Sequence, residues 1–271
     1  KYIYYPNFKN ALTVYKNSEI SFSKDYSIAK PSNKSYSFLY SGVQRQSRIA
    51  EIIAPFNKIG IVFQELGINH FINSSLSTFQ SNSIDTSFNY FEESFNKTLE
   101  KIEATNSIKE KINLLDNYFI SKLNKFNEPI LQKAIAYIIN SPDKITVNEV
   151  SNILSISRKT LLRLFNKHLC CTVKEYIDIA HFRKALNLYL KDSHGNFTET
   201  ALEANYYDQA QFINHFKKLT GINPKSFFKN IDSNSYWSSL VHERSTSYAW
   251  YVKFSDGDTS NGNKGTSYYV R

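Results

Sequence analysis

Two short segments, about fifty residues apart, carry side chains whose chemistry suits the edge of a nucleic-acid base. In the second segment, Phe212, Phe216 and Leu219 have the spacing of a buried helical stripe. The opposite face then holds Gln209, Ala210, Gln211, Asn214, Lys217 and Lys218. Gln and Asn can form two hydrogen bonds with an adenine edge, and Ala can contact a thymine methyl group. This face therefore has the chemistry of DNA base readout.

The first segment carries a more basic version of the same pattern. Its outward positions are Arg158, Lys159, Leu162, Arg163, Asn166 and Lys167. Arginine favours guanine edges and phosphate groups. Arg163 and Asn214 each lie one turn inside a helix, so they are the strongest candidates for base contact. Leu162 suits either a thymine methyl group or packing against a neighbouring helix, and the outward lysines suit phosphate contact or simple solvation.

Both segments belong to an internal repeat that predicts two helix-turn-helix units. Capping boxes at residues 146–149 and 196–199 would start a short helix in each copy. A turn residue follows, Ser155 or Asn205, and an N-cap residue then opens a second helix, Ser157 or Asp208. The further matches are Leu161 with Phe212, Phe165 with Phe216, Lys167 with Lys218, Cys170 with Gly221, Val173 with Pro224 and Tyr176 with Phe227. In such a unit the first helix braces the second, whose N-terminal part enters a groove.

The residues between the two copies predict a stiff connector. Residues 173–190 are apolar on more than one side, which is typical of a helix buried in the middle of a domain. Successive major grooves on one face of a duplex repeat about every ten base pairs. Two units on such a connector would fit adjacent grooves, provided that both second helices point the same way.

The composition favours a helical globular protein. The 271 residues are 41% hydrophobic and 21% charged, with 8 Gly and 6 Pro, which excludes disordered and collagen-like classes. Residues 130–229 contribute +6 of the net charge of +9. This bias suits a polyanion such as nucleic acid, although a solvated lysine-rich face is the commoner cause of an excess this small.

Other functional classes find little support in the sequence. Without a membrane-length apolar run or a signal-peptide core, we expect a cytoplasmic protein. The two cysteines, Cys170 and Cys171, lack disulfide or zinc-ligand spacing, and no catalytic or nucleotide-binding motif is present. We therefore expect no cofactor, no metal and no enzymatic activity. The chain contains no Met and begins at Lys1, so we expect an upstream part to be missing.

The first 128 residues predict a mixed domain, and the expected fold class is α+β. Aromatic and β-branched runs at residues 2–5, 37–40 and 59–63 are typical of strands. Apolar residues at steps of three and four predict amphipathic helices over residues 88–102 and 108–123. Residues 124–129 break this pattern and mark the expected domain boundary.

The repeat resembles a known family. Residues 201–227, ALEANYYDQAQFINHFKKLTGINPKSF, resemble the signature of AraC/XylS-type transcription regulators, and residues 157–168, SRKTLLRLFNKH, resemble the preceding half of that domain. The resemblance implies an all-α seven-helix domain over residues 129–230 that activates or represses transcription, with RNA polymerase as a partner. It implies base contacts at Lys159, Leu162, Arg163, Gln209, Ala210, Gln211 and Asn214.

The sequence departs from the family pattern at three positions. Asn205 stands where the family prefers Gly, which Asn tolerates because it visits left-handed conformations more readily than most residues. Cys170 stands at a Gly-like helix end, and Val173 stands at a usual Pro. The first unit is therefore less well specified than the second.

Two weaker resemblances cover the ends of the chain. Residues 1–128 are similar to the amino-terminal domain of some such regulators, which implies a small-molecule effector or homodimerisation. Residues 231–271, with Tyr236-Trp-Ser-Ser and a Gly-rich end, resemble the end of the Lcl C-terminal domain family. This segment is too short to form a full hydrophobic core of its own. We therefore expect a small hairpin that docks on the rest of the protein or is poorly ordered.

Two alternative functions remain open from the sequence. Some DNA-repair alkyl acceptors carry the same type of binding domain, and Cys170 or Cys171 would then be the nucleophile. The tail offers the other alternative, a ligand-binding or adhesion module. The basic helical centre argues for the DNA-binding regulator instead.

Overall fold

The computed structural model shows a β-sheet layer with two covering helices, packed against a helical half. It describes residues 1–23, 25–79, 84–85, 88, 90–141, 145–191, 197–233, 250–253, 258–260 and 266–270. The α+β fold class predicted from the sequence is confirmed. No helix in these ranges is long and apolar enough to cross a membrane.

The sheet is built mainly from the first 63 residues. Its strands there are β1 (Tyr2–Tyr4), β2 (Asn10–Ser23), β3 (Tyr26–Ser41), β4 (Arg48–Ile52) and β5 (Asn57–Phe63), and β6 (Ile84–Asp85) pairs with β3. β2 pairs antiparallel with both β3 and β5, whereas β4 runs parallel to β3. The three runs predicted as strands fall in β1, β3 and β5.

Two helices cover one face of this sheet. They are α2 (Glu92–Ala104) and α3 (Ile108–Lys122), and they follow a 3-10 turn at Gly67–His70 and the short α1 (Leu76–Phe79). Phe63 of β5, Phe95 of α2 and Phe119 of α3 are each at most 1% exposed and meet in one aromatic core. Both amphipathic helices predicted from the spacing are confirmed, because their apolar faces are the ones that the sheet buries.

Seven helices follow in the described part of residues 129–233, as the resemblance implies. They are α4 (Pro129–Asn140), α5 (Val147–Ile153), α6 (Arg158–Leu169), α7 (Val173–Lys191), α8 (Phe197–Glu203), α9 (Gln209–Thr220) and α10 (Pro224–Ser233). Residues 123–128, between α3 and α4, form neither helix nor strand. The break in pattern at residues 124–129 therefore coincides with the start of α4.

The helix α7 belongs to two hydrophobic cores. Its first half, including Tyr176 and Ile177, packs with α4, α5 and α6. Its second half, including Phe182 and Leu186, packs with α8, α9 and α10. The predicted connector is thus one continuous helix, buried on different sides along its length.

Residues 5–8, which follow β1, contact both helical cores. The guanidinium of Arg183 on α7 donates hydrogen bonds to the carbonyl oxygens of Pro6, at 2.6 Å, and Tyr5, at 3.3 Å. The ring of Tyr5 packs edge-on against Phe227, with centroids 4.5 Å apart, and Phe8 packs against Tyr176. These contacts join the two halves into one packed unit.

Within its described ranges, the tail contributes three further strands. β7 (Trp250–Lys253) and β8 (Asp258–Ser260) form an antiparallel pair, and β9 (Thr266–Val270) pairs in parallel with β5 and with β7. Residues 234–249, which include the tail motif at Tyr236, lie outside the described ranges. A small strand element that docks on the sheet matches the expectation for the tail, while its resemblance to the Lcl family stays a prediction.

Candidate nucleic-acid interface

The first helix-turn-helix unit consists of α5 and α6. The Thr146 side chain accepts a hydrogen bond from the Glu149 N–H, and the Glu149 carboxylate accepts one from the Thr146 N–H, so the predicted capping box is present. Ser155 turns the chain with φ of 53°, and the Ile156 N–H then donates to the Ser151 carbonyl at 3.0 Å. Ser157 caps α6 by accepting from the Thr160 N–H at 3.1 Å.

The second unit, α8 and α9, repeats this geometry. Asn205 has φ of 67°, and the Tyr206 N–H donates to the Ala201 carbonyl at 2.8 Å. Asp208 caps α9 by accepting from the Gln211 N–H at 2.7 Å. Residue 196, the first position of the second predicted capping box, lies outside the described ranges. The turn and N-cap residues that the repeat predicted are confirmed in both copies.

The ends of the two longer helices also match. Cys170 ends α6 at φ of 53°, with its N–H donating to the Asn166 carbonyl. Gly221 ends α9 at φ of 80°, with its N–H donating to the Lys217 carbonyl. Both helices therefore end in a left-handed residue, which satisfies a terminal carbonyl and turns the chain away. Glycine adopts this conformation without strain, whereas Cys170 pays a steric cost.

Each of the helices α6 and α9 has one buried and one exposed face, as the spacing of their apolar residues predicted. Leu161 and Phe165 of α6, and Phe212 and Phe216 of α9, are all 0% exposed. The exposed positions of α6 are Arg158, Lys159, Leu162, Arg163, Asn166 and Lys167, and those of α9 are Gln209, Ala210, Gln211, Asn214, Lys217 and Lys218. Leu162 is 38% exposed, so it packs only in part. Every residue proposed to contact DNA thus lies on an accessible helix face.

Two of the glutamines on this surface already have protein partners. The Gln211 side-chain oxygen accepts from the Tyr207 N–H at 2.9 Å, and the Gln209 side-chain oxygen accepts from the Thr198 hydroxyl at 3.3 Å. These bonds hold the amides at the N-terminal end of α9. Tyr207, directly before the N-cap, is 82% exposed. It was not singled out from the sequence, although an aromatic residue between the turn and the N-cap can be recognised there.

A cavity of about 400 Å³ separates the two units. It is lined by Asn148 and Arg158 of the first unit, by Tyr206, Gln211 and His215 of the second, and by α7. The residues of α7 are Lys174, Asp178 and His181, whose spacing of four and three places them on one helical face. Sequence reasoning missed this polar face because the apolar residues of α7 dominate its pattern.

Titratable groups in this cavity are shifted by burial. Burial, with a smaller contribution from nearby His215, lowers the pKa of His181 to about 4. The Tyr206 hydroxyl lies 2.7 Å from Nδ1 of His215, and Asp178 lies 3.9 Å from its Nε2. The neutral form of His181 is therefore strongly favoured in the folded chain at neutral pH.

The two cysteines lack the environment of a nucleophile. Cys171 is 2% exposed, and burial raises its pKa well above the ordinary value. Burial also raises the pKa of Cys170 to about 11, and this outweighs the opposite effect of Arg45. A reactive thiolate needs a lowered pKa and access. Among the described residues, no three His, Cys, Asp or Glu side chains come together in a way that could hold a metal ion.

The paired units define the class of this part of the chain. Residues 150–230 match the protein family described as a helix-turn-helix domain, in agreement with the units seen in the structure. The match supports the AraC/XylS resemblance for these residues, and it covers less than a third of the chain.

A curated relative and two solved structures are similar to parts of the chain. An uncharacterized response regulatory protein of Staphylococcus epidermidis is 28% identical over 86 residues, which are 32% of this chain and 34% of the relative. The chain therefore spans about a third of the length of the curated relatives that it matches.

The C-terminal domain of AraT, a response regulator from Geobacillus stearothermophilus, is 22% identical. The match covers 44% of this chain and 96% of that domain, with a TM-score of 0.37. ToxT from Vibrio cholerae is 11% identical, with 83% of this chain and 90% of ToxT covered and a TM-score of 0.41.

Proposed function

We propose that this chain is a sequence-specific DNA-binding transcription regulator that inserts α6 and α9 into successive major grooves. The observation that carries the proposal is the repeated geometry of the two helix-turn-helix units, each with an exposed polar or basic helix face. A major groove about 12 Å wide admits one helix. One connecting helix, α7, joins the two units and suits a fixed spacing between them.

The proposal divides the exposed residues by role. Base contacts are assigned to Lys159, Leu162, Arg163, Gln209, Ala210, Gln211 and Asn214. Phosphate contacts are assigned to Arg158, Asn166, Lys167, Lys217 and Lys218. Asn214 lies at the middle of the exposed face of α9, where an amide suits an adenine edge, and Arg163 occupies the comparable region of α6, where a guanidinium suits guanine.

The proposal extends to partners and to the N-terminal layer. The sheet and its helices would sense a small-molecule effector or mediate homodimerisation, and RNA polymerase would be the target of activation. These assignments rest on the resemblance of residues 1–128 and 129–230 to such regulators. The packing of the layer against both helical cores supports a regulatory role, because a change in the layer would reach the DNA-binding half.

The test is selection of bound sites from random DNA by the full chain, repeated at several salt concentrations. We expect a preferred motif with two half-elements about ten base pairs apart. Affinity should fall steeply as salt rises, because phosphate contacts release counterions. Recovery of no enriched motif, with the folded chain present throughout, would overturn the proposal.

A further inference from the structure

The turn of the second helix-turn-helix unit is one residue longer than the turn of the first. Between the left-handed residue and the N-cap lies Ile156 alone in the first unit, but Tyr206 and Tyr207 in the second. The N–H groups of Ile156 and Tyr206 donate equivalent hydrogen bonds back to the preceding short helix, at 3.0 and 2.8 Å. Tyr207 is therefore the added residue.

The two tyrosines of this turn have opposite environments. Tyr206 is 7% exposed and packs in the hydrophobic core with Phe212, their ring centroids being 5.2 Å apart. Tyr207 has the largest exposure of the exposed large hydrophobic side chains in the described part of the chain. Packing in the core therefore does not explain an aromatic residue at position 207.

The backbone of Tyr207 is held at the start of α9. Its N–H donates to the Gln211 side-chain oxygen at 2.9 Å, and the next residue, Asp208, caps the helix by accepting from the Gln211 N–H. These two bonds join the end of the turn to the first turn of α9. They fix the point from which the exposed ring leaves the backbone.

Tyr207 also lines a shallow groove along the exposed face of α9. The groove has a volume of about 540 Å³, and Ala210, Asn214 and Lys218 line it as well. The proposed function assigns base contact to Ala210 and Asn214 and phosphate contact to Lys218. Tyr207 thus lies at the N-terminal end of the surface that would face DNA.

This position favours a backbone phosphate as the partner of Tyr207. Side chains along a recognition helix reach base edges inside the major groove, whereas phosphates line both edges of the groove. A phenol hydroxyl is a neutral donor that suits a phosphate oxygen, and the positive end of the helix dipole favours an anion nearby. Asp208, the carboxylate that lines the groove, is directed towards the helix by its bond to the Gln211 N–H.

We infer that the Tyr207 hydroxyl donates a hydrogen bond to a phosphate at the edge of the major groove that α9 enters. The inference rests on the proposed function and adds an uncharged contact to it. Phosphate contacts fix the register of a protein on the duplex without reading its sequence. Tyr207 is therefore a positioning residue for the base contacts of α9.

The test compares the wild-type chain with Tyr207→Phe, which removes only the hydroxyl, on the DNA motif obtained by selection. We expect affinity to fall about tenfold on the motif and on its single-base variants alike, because the lost bond has a charged acceptor. The salt dependence should stay as in the wild type, since a neutral hydroxyl releases no counterion, whereas Lys218→Ala should reduce its slope by about one. Tyr137→Phe, on an exposed tyrosine of α4 outside both units, is the matched control and should bind like the wild type.

A series of duplexes, each with one neutral methylphosphonate linkage, then locates the contact. The linkages are placed in the half-element at which Asn214→Ala relaxes specificity. At one of them the wild type and Tyr207→Phe should bind equally, because the charged acceptor has been removed from the DNA. Equal melting temperatures of the two proteins exclude a folding defect, as expected for so exposed a side chain.

Three results would overturn the inference while leaving the proposed function in place. They are equal affinity of wild type and Tyr207→Phe for the unmodified motif, a tenfold difference that persists at every linkage, and a loss confined to certain base sequences. The last result would assign Tyr207 to a base. A chain that selects no motif would overturn the proposed function and this inference together.

Discussion

The backbone N–H of Ser47 donates a hydrogen bond to the carbonyl oxygen of Leu219, 172 residues later in the chain, with the two atoms 3.0 Å apart. Two positions earlier, the Arg45 guanidinium donates to the Cys170 carbonyl. One short segment of the sheet layer thus contacts the C-terminal ends of both α6 and α9. The separation of these two helices is set by the layer as well as by α7.

Removing the Arg45 side chain should loosen this attachment. Arg45→Ala loses the bond to Cys170 and the ion pair with Glu175, and we expect the free energy of unfolding to fall by about 1 kcal/mol, since the side chain is 41% exposed. Urea denaturation measures it. Lys34→Ala, an exposed position of β3, is the control and should change stability little. Equal effects of the two variants would contradict the assigned contact.

Loss of a base contact should relax specificity at one half-element only. Arg163→Ala and Asn214→Ala should each reduce discrimination at their own half-element by roughly 1–3 kcal/mol. Competition binding with single-base variants of the selected site gives this value. Asn187→Ala, exposed on α7 and outside both proposed faces, serves as the matched control. Uniform loss on all sequences would reassign these side chains to phosphate contact.

Substitution should change the stability of the chain in opposite directions at Ser155 and at Gly221, which both have a left-handed backbone. Ser155→Gly should stabilise the chain by roughly 0.5–1 kcal/mol, because Ser155 is exposed and held at φ of 53°. Gly221→Ala should destabilise it by about 1 kcal/mol through φ alone, as no atom lies within 4 Å of an added Cβ. Thermal unfolding compares them. Ser155→Ala keeps the strain, so stabilisation by that variant would refute the explanation.

The cysteines should react slowly in the folded chain. With the pKa of Cys170 raised to about 11, only a small fraction is thiolate at pH 8, and Cys171 is almost fully buried. Titration with a chromogenic disulfide should show slow release that accelerates in urea. One fast-reacting cysteine in the folded chain would instead support the alkyl-acceptor alternative.

Stability should fall in mild acid through His181. Its pKa is about 4 when folded and about 6.5 when unfolded, so the unfolded chain binds more protons between these values. The contribution of neutral His181 is complete above pH 6.5 and is lost as pH falls towards 4. We expect a loss of about 2 kcal/mol, after allowance for partial exposure. His181→Gln should flatten this slope in urea titrations from pH 7 to pH 4.5, and an unchanged slope would point to another group.

The helical half could be predicted from local sequence, because the signals that define its helices and turns are short in range. The turns at Ser155 and Asn205 and the N-caps at Ser157 and Asp208 depend only on residues a few positions away. The internal repeat therefore predicted them. The strand β2 was missed because its register shifts between Lys16 and Ser18, with Asn17 at φ of 47°, and this bulge breaks the alternation of buried residues. The contacts of Arg45 and Ser47 with the C-terminal ends of α6 and α9 could not be predicted, because they join residues more than 120 positions apart in the chain.

Because α7 packs in both hydrophobic cores of the helical half, the two cores are expected to unfold together. Tyr176 and Phe182 sit less than two turns apart on the same rod, yet each anchors a different cluster. Unwinding of α7 past the boundary between Tyr176 and Phe182 removes support from both clusters. The seven helices should therefore come apart in a single cooperative transition, without a stage in which one helix-turn-helix unit survives its twin.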